Sequence, residues 1–421
     1  MYCVKNGFRD LWRVLGPGLI TGAADDDPSG IATYSQAGAQ FGYALTWTMF
    51  LTLPFMAAIQ IISASIGWCT GEGLASSLGK RLPRPVLLAL IALLVIANTI
   101  NITADLAAMG AALRLVVGGP AVAYAVGFGV LCLTAEIVIP YHRYAGYLKF
   151  LTFVLFLYVA TAFSIHVPWL SVLFSTLLPD LALKRDAMLT IVALFGTTIS
   201  PYLFFWQAAQ EAEESRLSYK RRSKAPLSAA AFRHITVDTW TGMTMSNVVA
   251  FFIIVTTAAT LHAHGVMKID TAAEAAEALR PITGAFTFAL FSAGIIGTGL
   301  LAVPVLAGSA AYGVAEAFKL KGSLEMPAGR AIGFYAIVSA ATLAGAALTL
   351  SKVDPIAMLF WTAVINGIIA VPIMFAMMLV VSGENQVLRL PSWLKVLGWL
   401  AAALMAVAVV LLFWSEWVSP S

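Results

Sequence analysis

Runs of about 20 apolar residues, the length a helix needs to cross the hydrocarbon core of a bilayer, recur along this chain from end to end. We place eleven, near 14–41, 44–68, 85–113, 120–139, 144–166, 187–210, 235–261, 283–318, 331–350, 355–381 and 395–415. Membrane-crossing strands are shorter, about ten residues, and alternate apolar with polar; these runs are continuous. Lipid gives the backbone no hydrogen-bonding partner, so each run satisfies its own groups as a helix. Only 11% of the 421 residues are charged, against about 25% in a soluble domain, too few to cover a water-facing surface. The chain therefore reads as an all-α polytopic membrane protein with eleven transmembrane helices.

The basic residues orient it. With the N-terminus inside, 19 of the 25 Lys and Arg fall in inner segments, and positive loops stay on the cytoplasmic side. That predicts a cytoplasmic N-terminus and an extracytoplasmic C-terminus. The longest polar connection, Glu211 to Arg233, contains SYKRRSK and reads as a solvated inner loop. Glu211, Glu213 and Glu214 at its start read as a solvated charged helix end, with guidance of cations at the inner vestibule as the alternative, and Asp238 as an interfacial acid at a helix start. The outer segment from His262 to Arg280 contains AAEAAEAL, a short surface helix. Cys3, Cys69 and Cys132 imply no disulfide framework. Met1 to Asp10 lacks the apolar stretch of a cleavable signal. A net charge of +4 carries no nucleic-acid signal, and no obligatory protein partner is evident.

Two runs are interrupted in matching fashion. The first holds GAADDDPSGIA at 22–32 and the sixth FGTTISPYLFF at 195–205. Proline removes a backbone donor and clashes with the preceding turn, so each helix should break at Pro28 and Pro201. Each break lies in the first member of a five-helix set. Five is odd, so the second set enters from the opposite side. The prediction is one membrane domain, 1–421, with a first repeat over 14–166, an inverted second repeat over 187–381, and an extra helix at 395–415. Broken helices at corresponding positions of inverted halves point to a midplane binding site.

Asp25, Asp26 and Asp27 stand at the first break. One aspartate at a helix centre costs about 2.5–3.5 kcal/mol, and no Lys or Arg lies in the middle of either broken span. A transported cation would supply the missing charge. All three, Asp25 and Asp26 more than Asp27, could instead cap broken helix ends. The second break frees carbonyl oxygens near Thr197, and Ser200 adds a hydroxyl. Candidate ion-site residues are Asp27, Gly30, Thr197 and Ser200; candidate cavity residues are Asp26, Ser29, Tyr202 and Asn366. Asn366 could equally make an interhelical hydrogen bond. Asp105, inside the third span, could be a proton-relay acid or pair with a hydroxyl or Arg114. An all-oxygen set suits hard cations such as Mg²⁺, Ca²⁺ and Mn²⁺. No Walker A sequence or other enzyme motif is present, and GIIGTG at 294–299 reads as close helix packing. No cofactor is expected.

GPG at 16–18, Asp27-Pro28-Ser29-Gly30, AQFGYAL at 39–45, ADLA at 104–107, GTTISPY at 196–202 and GTGLLAVPVLAG at 297–308 resemble the Nramp divalent-metal transporters. The resemblance covers essentially the whole chain and implies a LeuT-like (APC) fold with broken helices 1 and 6. The departures are specific. The family's Asp-Pro-Gly-Asn has Gly30 at its Asn. Its Met-Pro-His reads Ser200, Pro201, Tyr202. Its Asp-Leu-Ala-Glu keeps Asp105 but has Ala108 at the Glu. Losing the thioether favours hard ions, and smaller side chains around Asp27 would leave room for the water that Mg²⁺ sheds reluctantly. The pattern resembles the divergent magnesium-transporting branch: a secondary carrier of Mg²⁺, also accepting Mn²⁺, without obligatory proton coupling, in a prokaryotic plasma membrane. The alternatives are a proton-coupled Mn²⁺/Fe²⁺ transporter, or a carrier of an organic cation or amino acid on the same fold, with Tyr34, Tyr202 and Trp206 stacking on the solute.

Overall fold

A computed structural model describes residues 16–139, 155–179, 184–218, 227–324, 326–350, 354–383 and 390–418. The first apolar run forms two half-helices, α1 (Pro17–Asp25) and α2 (Pro28–Phe41). Next come α3 (Trp47–Thr70), α4 (Arg84–Val117) and α5 (Ala121–Val138). Of the fifth run only α6 (Phe156–Ser164) lies among the described residues; an unforeseen apolar helix, α7 (Trp169–Leu177), follows it. The sixth run is again two pieces, α8 (Arg185–Thr198) and α9 (Pro201–Ser218). The rest are α10 (Ala229–Thr260), α11 (Thr287–Ala317), α12 (Ile332–Leu348), α13 (Pro355–Ser382) and α14 (Ser392–Val418). Among the described residues, eight helical stretches are long and apolar enough to cross a membrane, counting Arg185–Arg216 as one. The divided first run, the partly described fifth and the shorter α12 account for the other expected spans.

Both breaks fall where proline puts them. Pro28 and Pro201 each open the second half-helix, the position where a missing N–H costs nothing. The residues left outside the helices are Asp26 and Asp27 in one case and Ile199 and Ser200 in the other.

Glycine brings the broken helices against their neighbours. Gly18, Gly22 and Gly38 all face α10. A Cβ on Gly22 would stand 2.3 Å from the carbonyl of Gly242, and one on Gly38 would stand 2.4 Å from the carbonyl oxygen of Ile254. Likewise α3 meets α9 through Gly67 and Ala208, and α8 meets α13 through Gly196 and Gly367. Without water to drive association, close packing of small residues is what holds such helices together. Gly299 in the GIIGTG stretch is of this kind, seated on the Met109 side chain. Large apolar side chains on α14, among them Val410, Phe413 and Trp414, point outward, as a lipid-facing helix requires.

Three expectations for the connections are corrected. The polar connection after the sixth run is shorter than expected, because α9 continues to Ser218 and α10 starts at Ala229. Residues 219–226 of the basic stretch lie outside the described residues, as does Cys3. Glu211 is not a solvated end; it is 1% exposed. The AAEAAE helix forms at Ala272–Glu277, but its Ala275 and Ala276 are buried.

Candidate functional site

The two breaks meet. The Tyr202 hydroxyl, in the first turn of α9, donates to the Ala24 carbonyl at the end of α1 over 3.0 Å. Gly30, in the first turn of α2, faces the Thr197 hydroxyl in the last turn of α8.

Asp27 has extended backbone angles and caps α2: its Oδ1 accepts from the Gly30 amide at 2.7 Å and from the Ser29 hydroxyl at 2.8 Å. The capping and ion-binding readings of this residue are therefore compatible, one oxygen serving each. Its Oδ2 faces the Tyr202 hydroxyl at 3.5 Å, a long contact that a closer ligand could displace. Asp25 and Asp26 both converge on one side chain of α10. The Ser246 Oγ lies 2.6 Å from Asp25 Oδ2 and 3.0 Å from Asp26 Oδ1. A hydroxyl carries one hydrogen, so it cannot donate to both. Asp25 Oδ1 has no hydrogen-bond partner among the described residues. The three aspartates are 1%, 5% and 2% exposed, and among the described residues none makes an ion pair with Lys or Arg.

Asp105 projects from α4, fully buried, with Asp27 as an electrostatic neighbour. Neither of its oxygens has a hydrogen-bond partner, so pairing with a hydroxyl or with Arg114 is not realised among the described residues. Together these make a buried cluster of acids at the junction of α1, α2, α4, α9 and α10, short of positive charge.

Three of the proposed ligands differ from expectation. The Ser200 hydroxyl is turned back on the end of α8, 2.8 Å from the Gly196 carbonyl oxygen and 2.9 Å from that of Thr197. With one hydrogen to give, that hydroxyl serves one of the two carbonyls at a time, and Thr197 also turns its own hydroxyl toward α2. Gly30 does not leave a void. A Cβ there would stand 3.1 Å from Thr197 Oγ1 and 3.3 Å from both the Asp25 carbonyl oxygen and Tyr34 Cε2, so in this closed arrangement the backbone of α1 and two side chains fill the room expected for retained water. Asn366 is buried on α13, and its Nδ2 makes no hydrogen bond among the described residues. Tyr34, Tyr202 and Trp206 are fully buried in this closed arrangement, as the aspartates are.

Among the described residues, no group of three or more His, Cys, Asp or Glu is placed to hold a metal ion. An ion here would need a mixed set of carboxylate, hydroxyl, carbonyl and water oxygens, which suits hard and borderline divalent cations. The site is shut. A cavity of about 480 Å³ opens on the face away from Gly16, lined by Ala32 and Gln36 of α2, Thr190 of α8 and Phe360 of α13; it stops at Ala32, one helical turn and more beyond Asp27. On the other face a cavity of about 390 Å³ is lined by Glu72, Glu213, Arg216, Glu316 and Lys319.

Two functional side chains were not legible as such. Ser246 is a lone serine in an apolar helix. Asp238, read as interfacial, is 2% exposed and caps α1 from α10. It accepts from the amides of Gly16 at 2.9 Å, Gly18 at 2.7 Å and Leu19 at 3.3 Å.

With that geometry in place, known proteins give it a family. The Nramp family model, described as natural resistance-associated macrophage protein-like, matches residues 18–415. A divalent metal cation transporter MntH from Yersinia enterocolitica is 31% identical over 297 residues, 68% of each chain. One from Verminephrobacter eiseniae is 26% identical over 304 residues, 70% of this chain and 66% of that protein. The alignments thus span about two thirds of these relatives' lengths. The fold is also that of a crystal structure of the Eremococcus coleocola manganese transporter: TM-score 0.73, 17% identity, 96% of this chain and 87% of that one. MHP1, a nucleobase-cation-symport-1 family transporter, shares it at TM-score 0.58 and 13% identity over 97% and 93%. The broken helices 1 and 6 are therefore part of a LeuT-like architecture, and the chain belongs to the Nramp family.

Proposed function

We propose that this protein is a secondary transporter of divalent metal cations with Mn²⁺ as its principal substrate. The observation that carries the reading is Asp27: a buried carboxylate at the junction of two broken helices, with one oxygen used in a cap and the other facing inward, and no basic partner among the described residues. A buried carboxylate without a counter-charge is costly, and a passing cation would relieve that cost in turn. Mn²⁺ is preferred because the relatives named for a metal are divalent metal cation and manganese transporters. The relatives described above give no support for placing the chain in a magnesium-transporting branch.

One observation favours Mg²⁺ as a second substrate: Asp25, Asp26, Asp27 and Thr197 bring only oxygen to the two breaks, and position 200, where the family has a thioether, is a serine whose hydroxyl lies on the Gly196 and Thr197 carbonyls. The electrical driving force suffices for either ion, since a charge gains about 2.3 kcal/mol per 100 mV. Asp105, beside Asp27 and without a partner, is the group we assign to any accompanying proton. We further propose that the two five-helix sets are inverted repeats, that the face bearing Gly16 is cytoplasmic, and that the protein sits in a prokaryotic plasma membrane.

The test is flux of Mn²⁺, Mg²⁺ and Cd²⁺ into proteoliposomes with internal pH followed. Asp27→Asn should abolish uptake of every ion. Undiminished flux in that variant would remove the proposed site, and acidification in step with Mn²⁺ uptake would establish proton coupling.

A further inference from the structure

The half-helix α1 begins at Pro17, which has no amide hydrogen. The other three amides at its start, those of Gly16, Gly18 and Leu19, are all taken by the Asp238 carboxylate of α10, about 220 positions away. The local cap position, Gly16, has no side chain to do this. Asp238 is not alone. The point where a Cβ of Gly16 would sit is within 4 Å of Asp238 Oδ2, Glu214 Oε2 and His234 Cε1. Glu211, one turn before Glu214 on α9, has both as electrostatic neighbours: Glu214 and Asp238. It is 1% exposed, and neither carboxylate oxygen has a hydrogen-bond partner among the described residues.

A buried carboxyl with no partner beside two further acids is unexplained by packing, because each such group loses its hydration for nothing in return. The arrangement is explained if the positive end of α1 stands in for a cation. A helix N-terminus carries about half a positive charge and presents donors to an anion. Were α1 to move away from α10, Asp238 would lose all three amides at once, and Glu211, Glu214 and Asp238 would face the vacated space together with His234, an electrostatic neighbour of the last two.

We propose that Glu211, Glu214 and Asp238 form a second station for a divalent cation on the Gly16 face of the membrane, which the N-terminus of α1 occupies in the closed state. The station rests on the transport reading above and lies inward of Asp27 along the path an ion would leave by. Among the described residues no three such groups are placed to hold a metal ion directly, so the station as proposed takes the ion with its water. Opening of α1 and receipt of the ion are then one exchange of partners at Asp238: the amides depart and the hydrated cation replaces them.

The test uses the full chain in vesicles of defined insertion, with Mn²⁺ as the probe and half-saturation measured from each face. Glu211→Gln should raise the half-saturation concentration for Mn²⁺ presented at the Gly16 face at least fivefold and leave that for the opposite face within twofold. A merely structural lesion would lower the maximal rate in both directions without this asymmetry. Equal shifts on both faces, or none, would overturn the proposal. Glu214→Gln, whose side chain reaches solvent, serves where the buried substitution does not assemble. A rise of two- to threefold at the Gly16 face alone is expected, and an unchanged value refutes the station. Asp27→Asn in the same vesicles reads the central site separately: retained flux there would sink the transport site while leaving the asymmetry of Glu211→Gln to be judged by itself.

Discussion

The hydroxyl of Tyr202 donates to the carbonyl of Ala24 over 3.0 Å, so the turn that follows one helix break is tied to the turn that precedes the other. This tie also sets the hydroxyl 3.5 Å from Asp27 Oδ2. The two breaks are thus not independent kinks, and a side chain that holds them together can transmit a change at Asp27 to both.

Tyr202→Phe removes that tie while keeping the ring. It leaves the buried Ala24 carbonyl unsatisfied, which costs about 1–3 kcal/mol. A lower melting temperature of the purified variant in detergent, with Mn²⁺ uptake slowed but not abolished, is the expected result. A variant as stable as the parent would mean that the carbonyl finds another partner.

Gly22→Ala tests the contact between α1 and α10. The new methyl would sit 2.3 Å from the Gly242 carbonyl, and backbone cannot rotate out of the way as a side chain can. Overpacking of this sort costs about 1–3 kcal/mol. Thermal unfolding should show the loss, and Gly22→Leu should prevent assembly altogether. The control is Gly127→Ala, where nothing lies within 4 Å of the added carbon; it should be neutral.

Gly30→Asn restores the residue that the family carries at that place but meets Thr197 Oγ1 at 3.1 Å from its Cβ. Alone it should reduce Mn²⁺ uptake severalfold. Combined with Thr197→Ala it should recover, because the obstructing hydroxyl is gone. Recovery absent from the double variant would locate the obstruction at the Asp25 backbone or Tyr34 instead.

Ser200→Met exchanges a hydroxyl for a thioether, and softer ligands favour softer ions. Competition of Cd²⁺ against Mn²⁺ uptake should strengthen about tenfold, and any Mg²⁺ transport should fall. Because the Ser200 hydroxyl lies within hydrogen-bond reach of the Gly196 and Thr197 carbonyls, the same change should also free the one it bonds. Unchanged ion preference would show that position 200 does not face the ion.

What the amino-acid sequence determined by itself was local. Twenty apolar residues in lipid must be helix, and a proline among small polar residues must interrupt one, so the spans, the two breaks and the central place of Asp27 could all be read from it. The reach of Ser200 to the Thr197 carbonyl was in principle legible too, since the two are three positions apart on one chain segment. The tertiary structure alone decided which distant groups meet. Ser246 lies 221 and 220 positions from the aspartates it joins, and Asp238 about 220 from the amides it caps. An acid near a helix start looks alike whether it faces water or another helix's N-terminus. Only the approach of α1 to α10, allowed by facing glycines with no side chains between them, turns Asp238 from a surface charge into the cap of the broken helix.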